Sequence, residues 1–278
     1  MNTVEQLKKL IDEYDNIVIG AGAGLSTAAG FVYDGKIFLK YFKDMHDKYG
    51  YTDMYSAGFH HFDSNEEMWG YWCRNIYLNR YKEQKNKLYE DLLSLIKNKN
   101  YFVITTNVDH QFQLAGFDKK RLFYTQGDYG LFQCSLPCHD KTYDNKDMVL
   151  KMLDNLHDGM IPQSLIPKCP VCGRNMSMNL RCDDTFVEDK FWHEAAKRYQ
   201  QFLNDNKNKK ILFLELGVGF NTPVIIKFPF MRMTYQFKDA FYVCINKGYN
   251  RVEEEIRNKS LVIDSDIKEI IEELKIIN

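Results

Sequence analysis

The sequence carries almost no net charge: 37 basic side chains against 38 acidic ones leave a formal charge of -1. Without a surplus of either sign there is no overall field to draw the chain to nucleic acid or an anionic membrane, so neither is expected as a partner. No apolar run approaches the roughly 20 residues that a membrane-crossing helix needs. The N-terminal stretch also lacks the continuous apolar core of a signal peptide. Val4, Leu7, Leu10, Ile11 and Tyr14 recur instead at the spacing of an amphipathic helix. Internal repeats and low-complexity segments are missing as well. These absences point to a cytoplasmic protein whose partner is a small molecule or a specific protein surface.

An apolar content of 45%, with 14% aromatic residues, excludes a disordered chain and suffices for one large core or two unequal ones. Short runs rich in β-branched and aromatic residues recur at Ile17 to Ile19, Tyr101 to Thr105, Leu122 to Thr125, Ile211 to Leu216, Phe241 to Ile245 and Leu261 to Ile263, and read as buried strands. Helical patterns, among them Lys87 to Lys97 and Ile267 to Ile276, lie before or between them. The expected fold class is therefore α/β, a Rossmann-like doubly wound parallel sheet with its ligand at the carboxyl ends of the strands.

Two stretches are too long to be ordinary loops and should form a smaller module. The expected division is a nucleotide-binding domain of residues 1–30, 82–130 and 202–278, a helical part over 31–81 and a zinc-binding part over 131–201. The helical part is crowded with aromatics, including Tyr41, Phe42, Tyr55, Phe59, Trp69, Tyr71 and Trp72. They either build a core of their own or cover a cofactor and shape a substrate groove.

Seven cysteines in a reducing compartment favour metal binding or burial over disulfides. Cys134 and Cys138 form one close pair, Cys169 and Cys172 another, and each pair can supply half of a four-sulfur zinc site. His139 and Cys182 lie near enough in sequence to replace one ligand. A closed site of this kind is structural. Cys73 and Cys244 read as buried apolar fillers.

After the first strand comes Gly20-Ala21-Gly22-Ala23-Gly24-Leu25-Ser26-Thr27-Ala28-Ala29-Gly30, a glycine-rich turn that lets backbone amides approach a pyrophosphate. Its spacing departs from the dehydrogenase fingerprint, because Leu25 stands three residues after Gly22. The segment Gly22 to Gly30 instead resembles the sirtuin motif GAG-x-S-x-x-AG, and Thr105-Thr106-Asn107-Val108-Asp109 resembles the sirtuin TQNID, with Ala115-Gly116 following at the family's spacing. Thr125-Gln126-Gly127 falls where sirtuins place a histidine-glycine pair, and Gly217-Val218-Gly219-Phe220-Asn221-Thr222-Pro223 looks like a variant of their GTS loop. Ile245-Asn246 and Ile263-Asp264 fall at two further cofactor contacts, so the resemblance spans nearly the whole chain.

The resemblance implies NAD and zinc as cofactors. It implies NAD contacts from Gly22, Ala23, Gly24, Ser26, Thr27, Asp34, Thr106, Asn107, Asp109, Gln126, Gly217, Val218, Gly219, Asn221, Asn246, Lys247 and Ile263, with Asn107, Gln126 and Asp109 as the catalytic group. Departures accompany it. Val32, Tyr33, Asp34 and Gly35 replace the sirtuin PDFR, Thr106 replaces the TQNID glutamine, and Phe112 stands where a histidine follows that motif. The combination is most similar to macrodomain-linked microbial sirtuins. That similarity implies protein ADP-ribosylation of a lipoyl-carrier, glycine-cleavage-H-like protein, with a macrodomain hydrolase in the same pathway.

Breaking the nicotinamide bond generates an oxocarbenium-like ribose, so the site must exclude water and hold the ribose hydroxyls. The Asn107 amide can donate to and accept from a hydroxyl without carrying charge. Asp109 orients that network or serves as a turn carboxylate. Deacylation by sirtuins needs a general base, and Gln126 has no titratable proton to offer. His110, directly after Asp109, reads as a surface or supporting residue. ADP-ribosyl transfer is thus the expected activity, with deacylation, NAD hydrolysis or a catalytically silent NAD or ADP-ribose sensor as alternatives.

Overall fold

The computed structural model describes residues 2–82, 85–220, 223–248 and 251–277. Among the described residues there are nine strands: β1 (Asn16–Ala21), β2 (Asn100–Thr105), β3 (Leu122–Tyr124), β4 (Gly127–Cys134), β5 (Tyr143–Asp144), β6 (Met176–Leu180), β7 (Ile211–Leu216), β8 (Ala240–Ile245) and β9 (Ser260–Ile263). The chain divides into two compact units, one of Met1–Gly30, Lys85–Gln126 and Lys190–Asn278, the other of Phe31–Gln84 and Gly127–Asp189.

The first unit is built on a six-stranded parallel sheet in the order β3-β2-β1-β7-β8-β9. All six apolar runs of the sequence are strands of this sheet. Both β1 and β7 are buried along their whole length, as parallel strands covered on two faces must be. One face packs the helices Thr3–Glu13, Lys87–Ile96 and Ile267–Ile276 through Leu7, Leu92 and Ile271. The first of these begins at a capping box: Asn2 accepts from the Glu5 N–H, and the Glu5 carboxylate accepts from the Asn2 N–H, both at 2.8 Å. The opposite face carries Lys190–Asn206 and Lys227–Gln236 over Phe102, Phe213 and Tyr242.

Helix Lys190–Asn206 lies in this unit, whereas the sequence expectation assigned residues up to 201 to the smaller module. The reason is aromatic packing. Trp192 stands edge-on to Phe123 of β3 at 5.0 Å, and Tyr199 meets Phe102 of β2 at 5.4 Å. Trp192 also donates its indole N–H to the Thr125 carbonyl at 3.1 Å.

In the second unit a three-stranded antiparallel sheet, ordered β5-β4-β6, packs with helices Asn65–Ile76 and Lys146–Asp154 around Trp69, Phe132 and Met152. A separate cluster joins Phe38, Phe42, Met45, Met54 and Tyr71. Most aromatics of residues 31–81 thus build this unit's own interior, while Tyr55 and Phe59 remain exposed. Arg74 clamps Asp44 with two hydrogen bonds, at 2.7 and 2.8 Å. No helix among the described residues is long and apolar enough to cross a membrane.

Candidate active site

The strand order reverses between β1 and β7, the place where open parallel sheets leave a crevice at the strands' carboxyl ends. Two glycine-bearing turns meet there. Gly22 donates its N–H to the Leu216 carbonyl at 3.0 Å, and Gly24 donates to the Gly217 carbonyl at 2.9 Å. A Cβ on Gly22 would stand 2.8 Å from the Gly217 oxygen, and Gly217 itself has the left-handed φ of 62°. Glycine is therefore needed for close approach of the turns. The Gly22 and Gly24 amides are both taken up by these protein carbonyls.

The second motif leaves β2 beside this junction. Thr106 donates its N–H to the Ala21 carbonyl at 3.1 Å, and Asn107 donates its side-chain amide to the Gly22 carbonyl at 3.0 Å. Asp109 is buried: Oδ2 accepts from the Ser26 hydroxyl at 2.6 Å, and Oδ1 accepts from the Gln111 N–H at 3.0 Å. Ser26 is in turn 3.3 Å from the Tyr89 hydroxyl. His110 takes a left-handed φ of 65°. Phe112 is buried edge-on against Tyr89 and Phe117, so an apolar core contact occupies the position at which the resembled motif carries an imidazole.

Thr105 of β2 pairs with Tyr124 of β3, and the Thr125 N–H donates back to the Thr105 carbonyl at 2.9 Å. Two residues beyond each member of that pair come Asn107 and Gln126, both half-buried. On the other flank, Asn246 follows β8. Its N–H donates to the Ile263 carbonyl at 3.1 Å and its side-chain amide to the Val218 carbonyl at 3.3 Å.

The residues expected at NAD do not all face the same way. Ala23, Thr27, Gly219 and Lys247 are exposed, and Thr106, Asn107, Gln126 and Asn246 are half-buried. The side chains of Ser26, Val218 and Ile263 are buried in the unit's interior, so any contact from Val218 or Ile263 falls to the backbone. Asp34 belongs to the second unit, where it forms a bridge with Asp53. Asn221, like Thr222, lies outside the described residues.

In the second unit Cys134, Cys138, Cys169 and Cys172 converge, all four sulfurs lying within 4.8 Å of one another. Sγ of Cys134 is 3.6 Å from that of Cys172, and Sγ of Cys138 is 3.7 Å from that of Cys169. Tetrahedral zinc with bonds of about 2.3 Å separates its sulfurs by about 3.8 Å, so the donor set fits that ion. The Cys169 N–H donates to the Arg174 carbonyl at 2.7 Å and the Gly173 N–H to the Cys169 carbonyl at 2.9 Å, which folds the second pair into a tight knuckle. Desolvation opposes ionisation of Cys169, yet hydrogen bonds from the backbone amides of Cys172 and Val171 and from the thiols of Cys172 and Cys138 together bring it down to about 7. His139 and Cys182 are not members of the group; the His139 ring bonds to the Tyr143 hydroxyl at 2.8 Å.

A feature the motifs did not reveal is Glu215, fully buried in β7 and paired with Lys227. A charge inside an apolar strand was the available signal. Cys244, expected to sit among apolar groups, lies 3.4 Å from Glu215.

No family model matches the chain. It is 40% identical over 268 residues to a protein ADP-ribosyltransferase of Staphylococcus aureus, with 96% of this chain and 85% of the relative covered. It is 31% identical over 233 residues to a probable bifunctional ADP-ribose hydrolase/ADP-ribosyltransferase of Fusarium oxysporum, covering 80% of this chain and 38% of that protein. Among solved structures, a Sir2Tm complex with a propionylated peptide shares the fold at a TM-score of 0.62, with 20% identity over 100% of this chain and 98% of that one.

Proposed function

The chain belongs to the sirtuin family, on the branch whose curated relatives are named for ADP-ribosyl transfer, and from that premise we propose that it moves ADP-ribose from NAD to a protein side chain. The observation that carries this reading is the pair of amides, Asn107 and Gln126, standing two residues past paired positions of β2 and β3. Neither amide takes up a proton near neutral pH, whereas base-assisted deacylation calls for a group that does.

Bound NAD would supply the ADP-ribosyl group and the nicotinamide that leaves. Asn107 bonds to Gly22 through its amide nitrogen, which leaves its carbonyl oxygen to accept from a ribose hydroxyl. Gln126 hydrogen-bonds a hydroxyl or the incoming acceptor. Asp109 acts from behind, holding the Ser26 and Gln111 ends of the two motifs in place. Ala23, Gly24, Thr27, Gly219, Asn246 and Lys247, all of the first unit, would line the dinucleotide. Cys134, Cys138, Cys169 and Cys172 would hold a structural zinc ion.

The acceptor proposed is a lipoylated carrier protein of the glycine-cleavage-H type in the cytoplasm, with a macrodomain hydrolase acting in the same pathway. The name of the Fusarium relative, which joins a hydrolase to a transferase, supports the pairing of the two activities. Incubation with NAD and the lipoylated carrier, read by intact mass, tests the proposal. A gain of one ADP-ribose supports it. No gain, alongside robust deacetylation of acetylated peptides, overturns it, and nicotinamide release that no acceptor alters would assign NAD hydrolysis instead.

A further inference from the structure

Strand β7 carries a charge in the middle of an apolar run. Glu215 is fully buried and lies in register with Gly20 of β1 and Cys244 of β8. Its carboxylate binds the ammonium of Lys227, the first residue of helix Lys227–Gln236, which is only 1% exposed. The Tyr242 hydroxyl donates to the other carboxylate oxygen at 2.6 Å. Gly20 clears the space for this arrangement: a Cβ there would stand 2.4 Å from Ile226 and 2.5 Å from Phe230, so the entry to the helix lies flat on the sheet.

A buried ion pair contributes little net stability, because desolvation of both charges offsets their attraction, and apolar replacements of similar volume are often as good. Stability therefore does not account for its presence, and its position suggests another role. Glu215 stands two residues before Gly217, whose turn is pressed against Gly24. Lys227 reaches back toward the same turn, its Nζ lying 5.5 Å from the ring centre of the half-exposed Phe220. The charge pair thus joins the strand that leads into the Gly217–Phe220 segment to the helix that comes after it.

We propose that Glu215 and Lys227 are positioning residues that hold the Gly217–Phe220 turn in place against the Gly22–Gly24 turn, so that the junction is preformed for the dinucleotide. This rests on the reading of that junction as the NAD site. Neither residue touches the cofactor. Each acts through the backbone that it anchors.

The test compares the wild type with the shape-preserving double variant Glu215→Gln/Lys227→Met, using calorimetric titration with NAD, thermal unfolding and amide hydrogen exchange. The double variant should unfold at the wild-type temperature, bind NAD about tenfold more weakly, and exchange faster at Gly217–Phe220 while β7 and β8 stay protected. A double variant with wild-type NAD affinity and exchange overturns the proposal. A wild type that binds no NAD overturns the cofactor reading and the proposal with it. Should the double variant fail to fold, Phe220→Ala serves instead: faster exchange at Gly217–Gly219 supports the anchor, and unchanged exchange there overturns it.

Discussion

The Ser26 hydroxyl donates to Asp109 at 2.6 Å, joining the helix after the first glycine turn to the loop that carries Asn107. The carboxylate is buried and also accepts from the Gln111 backbone, so two parts of the candidate site share one anchor. Asp109→Ala should leave buried donors without an acceptor and lower stability by about 1–3 kcal/mol. Denaturant titration checks this, and an unchanged midpoint would show that the carboxylate is not the anchor.

Asn107→Ala removes the amide that bonds to Gly22 without disturbing the core around Phe112. ADP-ribosyl transfer should be abolished while the thermal midpoint stays near that of the wild type. Mass analysis of the carrier after incubation with NAD gives the answer, and full retained transfer would remove Asn107 from the mechanism.

Gln126→His places a group with an ordinary pKa of about 6.5 at the end of β3. Deacetylation of an acetylated peptide should then rise by up to about 10²- to 10⁴-fold, the usual worth of a general base. Its rate should climb with pH as the imidazole loses its proton. A flat pH profile, or no gain at all, would mean that residue 126 does not occupy the base position.

Chelation should strip about one zinc ion per chain and loosen the second unit, whose sheet ends at Cys134. Cys172→Ser should do the same in part. Metal analysis together with hydrogen exchange over β4 and β6 would register both effects, and exchange indifferent to the metal would exclude a structural role.

Partial burial alone would raise the carboxyl of Asp44, but the Arg74 guanidinium holds it below its ordinary 3.8. A carboxylate depressed in the folded state contributes stability above its unfolded pKa, and that contribution is lost as pH falls through the folded value. Thermal melts from about pH 5 downward should therefore show a steeper acid decline for the wild type than for Asp44→Asn. Parallel curves would mean that the pair is inert.

The parallel sheet was legible because strands buried on both faces must be apolar throughout, and Ile17 to Ile19 and Ile211 to Leu216 advertise themselves that way. The antiparallel sheet was not. Its strand Gly127–Cys134 includes two glycines and an aspartate, its register shifts between Gly127 and Phe132, and its partner Met176–Leu180 alternates weakly. Motif spacing sufficed to single out the four thiols that converge. It could not reveal that the Gly22 and Gly24 amides are already engaged, because their acceptors, Leu216 and Gly217, stand at the end of a strand distant in sequence. Nor could it reveal Lys227, whose partner is fixed only by the packing of a helix on Gly20.

The register of the central strands also sets an order of events in synthesis. Asn16 must wait for Ile211 before β1 gains its second neighbour, and by then both segments of the cysteine-bearing unit have left the ribosome. Pairings so remote along the chain are slow to form. Until they do, β2 is the only one of its two partner strands that β1 can meet.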